Sequence, residues 1–174
     1  MDIAFRRIGY EPVNVSTLFR ILTVIIVVWI FLTMLAGGFV AGLDAGLTYN
    51  TFPFMDNQLV PEGLFQMSPF FINFFENVTT VQFTHRMMAV ITVLMIIALW
   101  RRCYKEVTIK YARIPFHILS ILVLCQFCIG VLTLLMEVPA ILAIVHQILA
   151  FLCLTAGVWG LHTLLRPSWV RDDA

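Results

Sequence analysis

Four stretches of this chain, about Ile21–Ala41, Val78–Trp100, Pro115–Met136 and Pro139–Leu161, run for some twenty residues with at most one arginine in each. At ~1.5 Å of rise per residue, a helix of about 20 apolar residues crosses the hydrocarbon of a bilayer. Hydrocarbon offers no partner to a backbone N–H or C=O, so a crossing segment must pair these groups within itself or in a closed barrel. Unbroken apolar runs of this length mean helices. The composition agrees, with 61% hydrophobic and 12% charged residues, against roughly 45–50% and 25% in soluble domains. The expected fold is therefore all-α, an integral membrane four-helix up-down bundle forming a single domain over residues 1–174, embedded in the lipid bilayer. The first run is too long for the apolar core of a cleaved signal peptide, so none is expected.

Charge gives the orientation. Arg6, Arg7 and Arg20 stand at the amino-terminal side of the first run. Arg101, Arg102, Lys105, Lys110 and Arg113 lie between the second and third runs, and Arg166 and Arg171 follow the fourth. With four crossings, these three segments share one face. The opposite face holds the long 42–77 loop and the tight turn at Glu137–Val138, with Asp44, Asp56, Glu62, Glu76 and Glu137 but no lysine or arginine. The positive-inside rule then puts both termini in the cytoplasm or the mitochondrial matrix. Arg86, near the outer end of the second run, breaks the pattern.

The short connections predict antiparallel neighbours. In "AGGFVAGLDAG" the pairs Gly38/Gly42 and Gly37/Ala41 have the spacing that lets helices approach closely. The Phe-rich "SPFFINFFENV" reads as a short amphipathic segment at the membrane interface, and Trp100 and Trp169 as part of the inner aromatic belt.

The chemistry gathers at two histidines. His85 lies about seven residues into the second run and His146 about seven beyond Pro139, so both are expected ~10 Å below their helix starts. Both runs cross in the same direction, and in an up-down bundle they are diagonal partners. One imidazole from each side suits a six-coordinate haem. Ala143, Ala150, Cys153 and Gly157 share a helical face with His146, as Ala89 and Thr92 do with His85. Small side chains there leave a slot for a flat group. Arg86 would snorkel outward and pair with a haem propionate. The competing reading is two polar side chains hydrogen-bonded to neighbouring helices, against which stands the rule that ionisable groups inside a membrane are functional by default. Zinc is less attractive, because no third ligand appears at that depth.

His117 and His162, at the inner ends of adjacent helices, read either as interfacial residues or as the ligands of a second haem. Cys125 and Cys128 lie mid-span, away from any helix start that would activate a thiolate. Together with Cys103 and Cys153 they read as small packing residues. The outer loop has no cysteine, so no disulfide is expected there.

The strings "GGFVAGLDAGLTYNTFPFMDNQLVPEG", "NFFENVTTVQFTHR" and "VPAILAIVHQ" closely resemble the haem A synthases of mitochondria and bacteria, over about Leu32 to His162. The resemblance implies oxidation of a ring methyl of haem O, giving haem A for terminal cytochrome oxidases. Such enzymes resemble two fused four-helix halves, and this chain resembles the second, which holds haem b. The family's axial histidines there match His85 and His146. The family's first half carries a further histidine pair and a Glu-x-x-His motif for the substrate. Here that spacing reads Gln82-x-x-His85, and an amide cannot take up a proton as a carboxylate does. The cysteine pair that some bacterial members carry in the outer loops is missing. The resemblance thus implies a bacterial cytoplasmic or mitochondrial inner membrane, an electron donor, and a partner half or homo-oligomer, with no nucleic acid. The alternatives are a truncated product, a membrane b-type cytochrome that only carries electrons, and a non-catalytic oxidase assembly factor.

Overall fold

The computed structural model describes residues 10–11, 13–165 and 168–169. Arg6, Arg7, Arg166, Arg171 and the side chain of Trp169 lie outside the described residues. A two-residue antiparallel ladder pairs β1 (Tyr10–Glu11) with β2 (Ser168–Trp169). Otherwise the architecture is helical: α1 (Thr17–Gly42), short α2 (Asn73–Glu76), α3 (Val78–Glu106), α4 (Lys110–Leu135) and α5 (Ala140–Leu165). The four long helices are each long and apolar enough to cross a membrane.

Local chemistry sets their ends. Ser16 caps α1 by accepting from the Phe19 N–H at 3.1 Å, and Asn77 caps α3 by accepting from the Thr80 N–H at 3.0 Å. The basic segment between the second and third runs is mostly helix rather than loop. α3 continues to Glu106 and α4 begins at Lys110, five residues before Pro115. Long basic side chains can reach water while their stems stay in apolar surroundings, so a helix need not stop where the hydrocarbon does. Pro115 lies inside α4 and has no N–H to offer the Tyr111 carbonyl. Glu106 then ties two helix ends together, accepting from the backbone N–H and hydroxyl of Ser16 and from Arg102 Nε.

The packing seams are α1–α3, α3–α4, α4–α5 and α5–α1, so the four helices form a ring in which α3 and α5 lie across from each other. The two ends of this ring are filled differently. Phe19, Ile26 and Ile30 of α1 meet Ile96, Leu99 and Cys103 of α3, Phe116, Leu119 and Val123 of α4, and Cys153, Ala156 and Leu164 of α5. All of these lie in the half near the chain ends. In the half toward the long loop, the buried helical side chains are largely polar: Gln82, Arg86, Thr92 and Thr133.

That loop is knitted rather than slack. Asn73 is fully buried; its Oδ1 accepts from the Met67 N–H and from Asn77 Nδ2, and its own Nδ2 donates to the Met67 and Phe70 carbonyls. Around this hub Phe70, Phe71, Phe74 and Phe75 are all exposed. The segment is amphipathic in the inverted sense, polar inside and aromatic outside. Asn50 Nδ2 donates to the carbonyls of Gly46 and Leu134, fixing the start of the loop to the end of α4.

Candidate functional site

His85 lies seven residues into α3 and His146 six into α5, which at ~1.5 Å per residue is ~10 Å and ~9 Å from the loop-side helix starts. Both imidazoles therefore occupy the half of the bundle outside the main apolar cluster. Each ring backs onto a glycine of the adjacent helix, His85 onto Gly37 of α1 and His146 onto Gly130 of α4. Gln126, one turn before Gly130, brings its Nε2 to 3.3 Å from His146 Nε2. Which group donates in this contact is set by the tautomer of the ring.

Nδ1 of His146 has no partner although it is buried, and Nδ1 of His85 is likewise unpartnered. A buried polar atom without a hydrogen bond is uncommon and calls for an explanation. Two such imidazoles, on diagonal helices at matched depth, fit a group that takes one nitrogen from each side. Among the described residues no set of three or more His, Cys, Asp or Glu side chains gathers to hold a metal ion. A donor set of two imidazoles suits a metal that brings its own equatorial ligands, as haem iron does.

Arg86 departs from expectation. It is 8% exposed, and its guanidinium does not snorkel to the surface but points into the loop. Nη1 donates to the carbonyls of Thr51 (2.8 Å) and Phe54 (3.3 Å), and Nη2 to that of Tyr49 (2.6 Å). Gln82 Nε2 donates to the same Tyr49 carbonyl at 3.1 Å. One turn of α3 thus clamps the loop backbone just above His85. A planar fork with fixed donors suits this better than a lysine point charge. The Arg86 Nε and Gln82 Oε1 stay buried without partners, so the turn that carries His85 is polar on both flanks.

The other sequence candidates separate. His117 accepts from Trp100 Nε1 at 2.9 Å and lies edge-on to Tyr104, while His162 is exposed. No hydrogen bond joins the two. All four cysteines are free; Cys103 and Cys153 pack in the core, but Cys125 and Cys128 are exposed on the bundle surface rather than packed. Of the small residues expected to bring helices together, Gly37 meets His85, whereas a Cβ on Gly38 or Gly42 would meet nothing within 4 Å. Gly157 does not border the histidine slot; it packs against Val27 and Ile30. Gly130 and Gln126 were not singled out from the sequence, yet each carries a signal. Glycine is a poor helix former in mid-helix, and an uncharged amide in mid-span asks for a partner.

These features define a class: an integral membrane four-helix protein with two histidines at similar depth on diagonal helices beneath a pinned loop. The chain belongs to the COX15-CtaA family of cytochrome oxidase assembly proteins, whose profile matches residues 3–158. It is 42% identical over 137 residues to the heme A synthase of Nitrosospira multiformis, covering 79% of this chain and 38% of that protein. It is 43% identical over 145 residues to the heme A synthase of Wolbachia pipientis wMel, covering 83% and 39%. To the human heme A synthase COX15 it is 42% identical over 137 residues, covering 79% and 33%. The chain thus spans about two fifths or less of the length of these relatives. No solved structure matches it.

Proposed function

We propose that this chain is the haem b-binding half of a haem A synthase-type membrane oxidoreductase, with His85 and His146 as the axial ligands. The observation that carries the reading is the pair of imidazoles with unpartnered Nδ1 atoms, at matched depth on diagonal helices, in the half of the bundle whose buried helical side chains are mostly polar. A haem b held there would supply one-electron redox chemistry for a conversion of haem O to haem A in which oxygen is the oxidant. The chain's own residues supply the setting. Gln126 orients His146, Gly37 and Gly130 back the rings, and Arg86 and Gln82 hold the loop over the site. Charge asymmetry supports both termini in the cytoplasm or matrix, with electrons from a separate donor and the exposed Phe70, Phe71, Phe74 and Phe75 in the interface.

The substrate half would come from a partner chain or from the remainder of a longer protein. Gln82 favours this division, because an amide cannot take up a proton as a carboxylate does, and its Nε2 is committed to a loop carbonyl. The same residue favours a second reading, a b-type cytochrome that only carries electrons. One experiment separates them: reconstitute the chain with haem O, a reductant and oxygen, with and without a four-helix partner bearing Glu-x-x-His, and identify the pigments by chromatography and mass. Hydroxylated haem or haem A formed only with the partner supports the proposal. No product under either condition favours the cytochrome, and product from this chain alone overturns the division of labour.

A further inference from the structure

The two histidines are seated by the same device used twice. Gly37 on α1 faces His85 on α3, and Gly130 on α4 faces His146 on α5. A Cβ built on Gly37 would stand 3.0 Å from His85 Cε1 and 3.5 Å from both ring nitrogens. A Cβ on Gly130 would stand 2.6 Å from His146 Cε1, 3.2 Å from Nδ1 and 3.4 Å from Nε2. In both pairs Cε1 is the ring atom nearest the glycine, and the two nitrogens come next. Neither glycine is explained by local backbone needs: both lie inside long helices, where glycine is the poorest choice after proline. Gly38, the neighbour of Gly37, has open space around its Cβ position, so close packing of α1 is not the general reason.

We propose that Gly37 and Gly130 are positioning residues for the imidazole pair, and that Gly130 is the more exacting of the two. Measured against an ordinary contact of 3.4 Å, a methyl at residue 37 asks the His85 ring to retreat by 3.4 − 3.0, or 0.4 Å; one at residue 130 asks His146 to retreat by 3.4 − 2.6, or 0.8 Å. A ligand constellation tolerates displacements of roughly 0.5 Å. The first shift falls inside that margin and the second outside it. His146 is also held from one side by Gln126 on the same face of α4, one turn from Gly130, so its ring has less freedom to swing clear. The consequence for haem rests on the function proposed above; the seating of the rings does not.

The test compares Gly37→Ala, Gly130→Ala and Gly38→Ala in the full chain in lipid nanodiscs, with histidines labelled at 13Cε1. Without haem, Gly130→Ala should move the His146 signal and Gly37→Ala the His85 signal, each well beyond any change from Gly38→Ala. On titration with haem b, Gly37→Ala should stay low-spin, while Gly130→Ala should show a high-spin fraction in its electron paramagnetic resonance spectrum. If Gly130→Ala does not assemble, the Gly37/Gly38 comparison still decides the seating. Alanine at 37 and 130 as silent as alanine at 38 would overturn the proposal. A wild-type chain that binds no haem but shows the expected 13C pattern would uphold the seating and remove the haem reading instead.

Discussion

Replacing Arg86 by methionine keeps most of its apolar stem and deletes the fork that holds the loop. Three carbonyls lose a donor, but not equally. The Tyr49 carbonyl keeps Gln82 Nε2 at 3.1 Å, and the Phe54 carbonyl keeps the Thr51 hydroxyl at 2.8 Å. Only the Thr51 carbonyl, which accepts from Nη1 at 2.8 Å, is left without a donor. A hydrogen bond from a charged donor contributes ~1.5–3 kcal/mol. Thr51 is exposed, so water can take the place of the lost donor and the local cost should not exceed that range. At 1.4 kcal/mol per factor of ten, amide exchange in the first part of the loop should quicken by about 10-fold to 100-fold. Hydrogen exchange read by mass spectrometry, over residues 49–56 and over α1 as an internal reference, measures this directly. Arg86→Lys should behave much like methionine, since one ammonium cannot reproduce the fork. Unchanged protection of residues 49–56 together with weakened haem retention would refute the clamp and return Arg86 to the propionate role.

Three further perturbations are informative. Asn73→Leu removes the buried hub of the loop and leaves the Met67 N–H and carbonyl without their partner; a cost of ~3 kcal/mol is expected, seen as faster limited proteolysis within residues 60–72. Gln126→Leu deletes the side-chain partner of His146, so the 15N signals of that ring should shift while those of His85 stay put. Glu106→Gln disturbs a tie whose salt-bridge partners have side-chain exposures of 38% and 18%; pairs this accessible contribute ~0–1 kcal/mol, and thermal melts in detergent should shift little.

The helices were legible in the sequence because the bilayer admits so few solutions: four long apolar runs can only be helices, and short connections make them antiparallel. The matched depth of His85 and His146 followed from counting residues, and their diagonal placement from chain order. Arg86 shows where that reasoning stops. Its partners are backbone carbonyls 32 to 37 residues away in an irregular loop, and no periodicity encodes such a contact. The extension of α3 to Glu106 escaped for a related reason, since hydropathy marks where the apolar run ends and not where the helix does. Gly37 was read as a helix-packing residue, but its neighbour is a side chain on α3 that only the assembled bundle brings near.

Whether His85 and His146 hold one haem between them is read most directly from the spectrum of the purified chain and its extracted pigment. Non-covalent haem b at about one per chain is expected, with a low-spin bis-imidazole signature. His85→Ala and His146→Ala should each turn it high-spin or empty the protein, while His117→Ala leaves the wild-type spectrum. A low-spin spectrum that survives both of the first two substitutions would contradict the account.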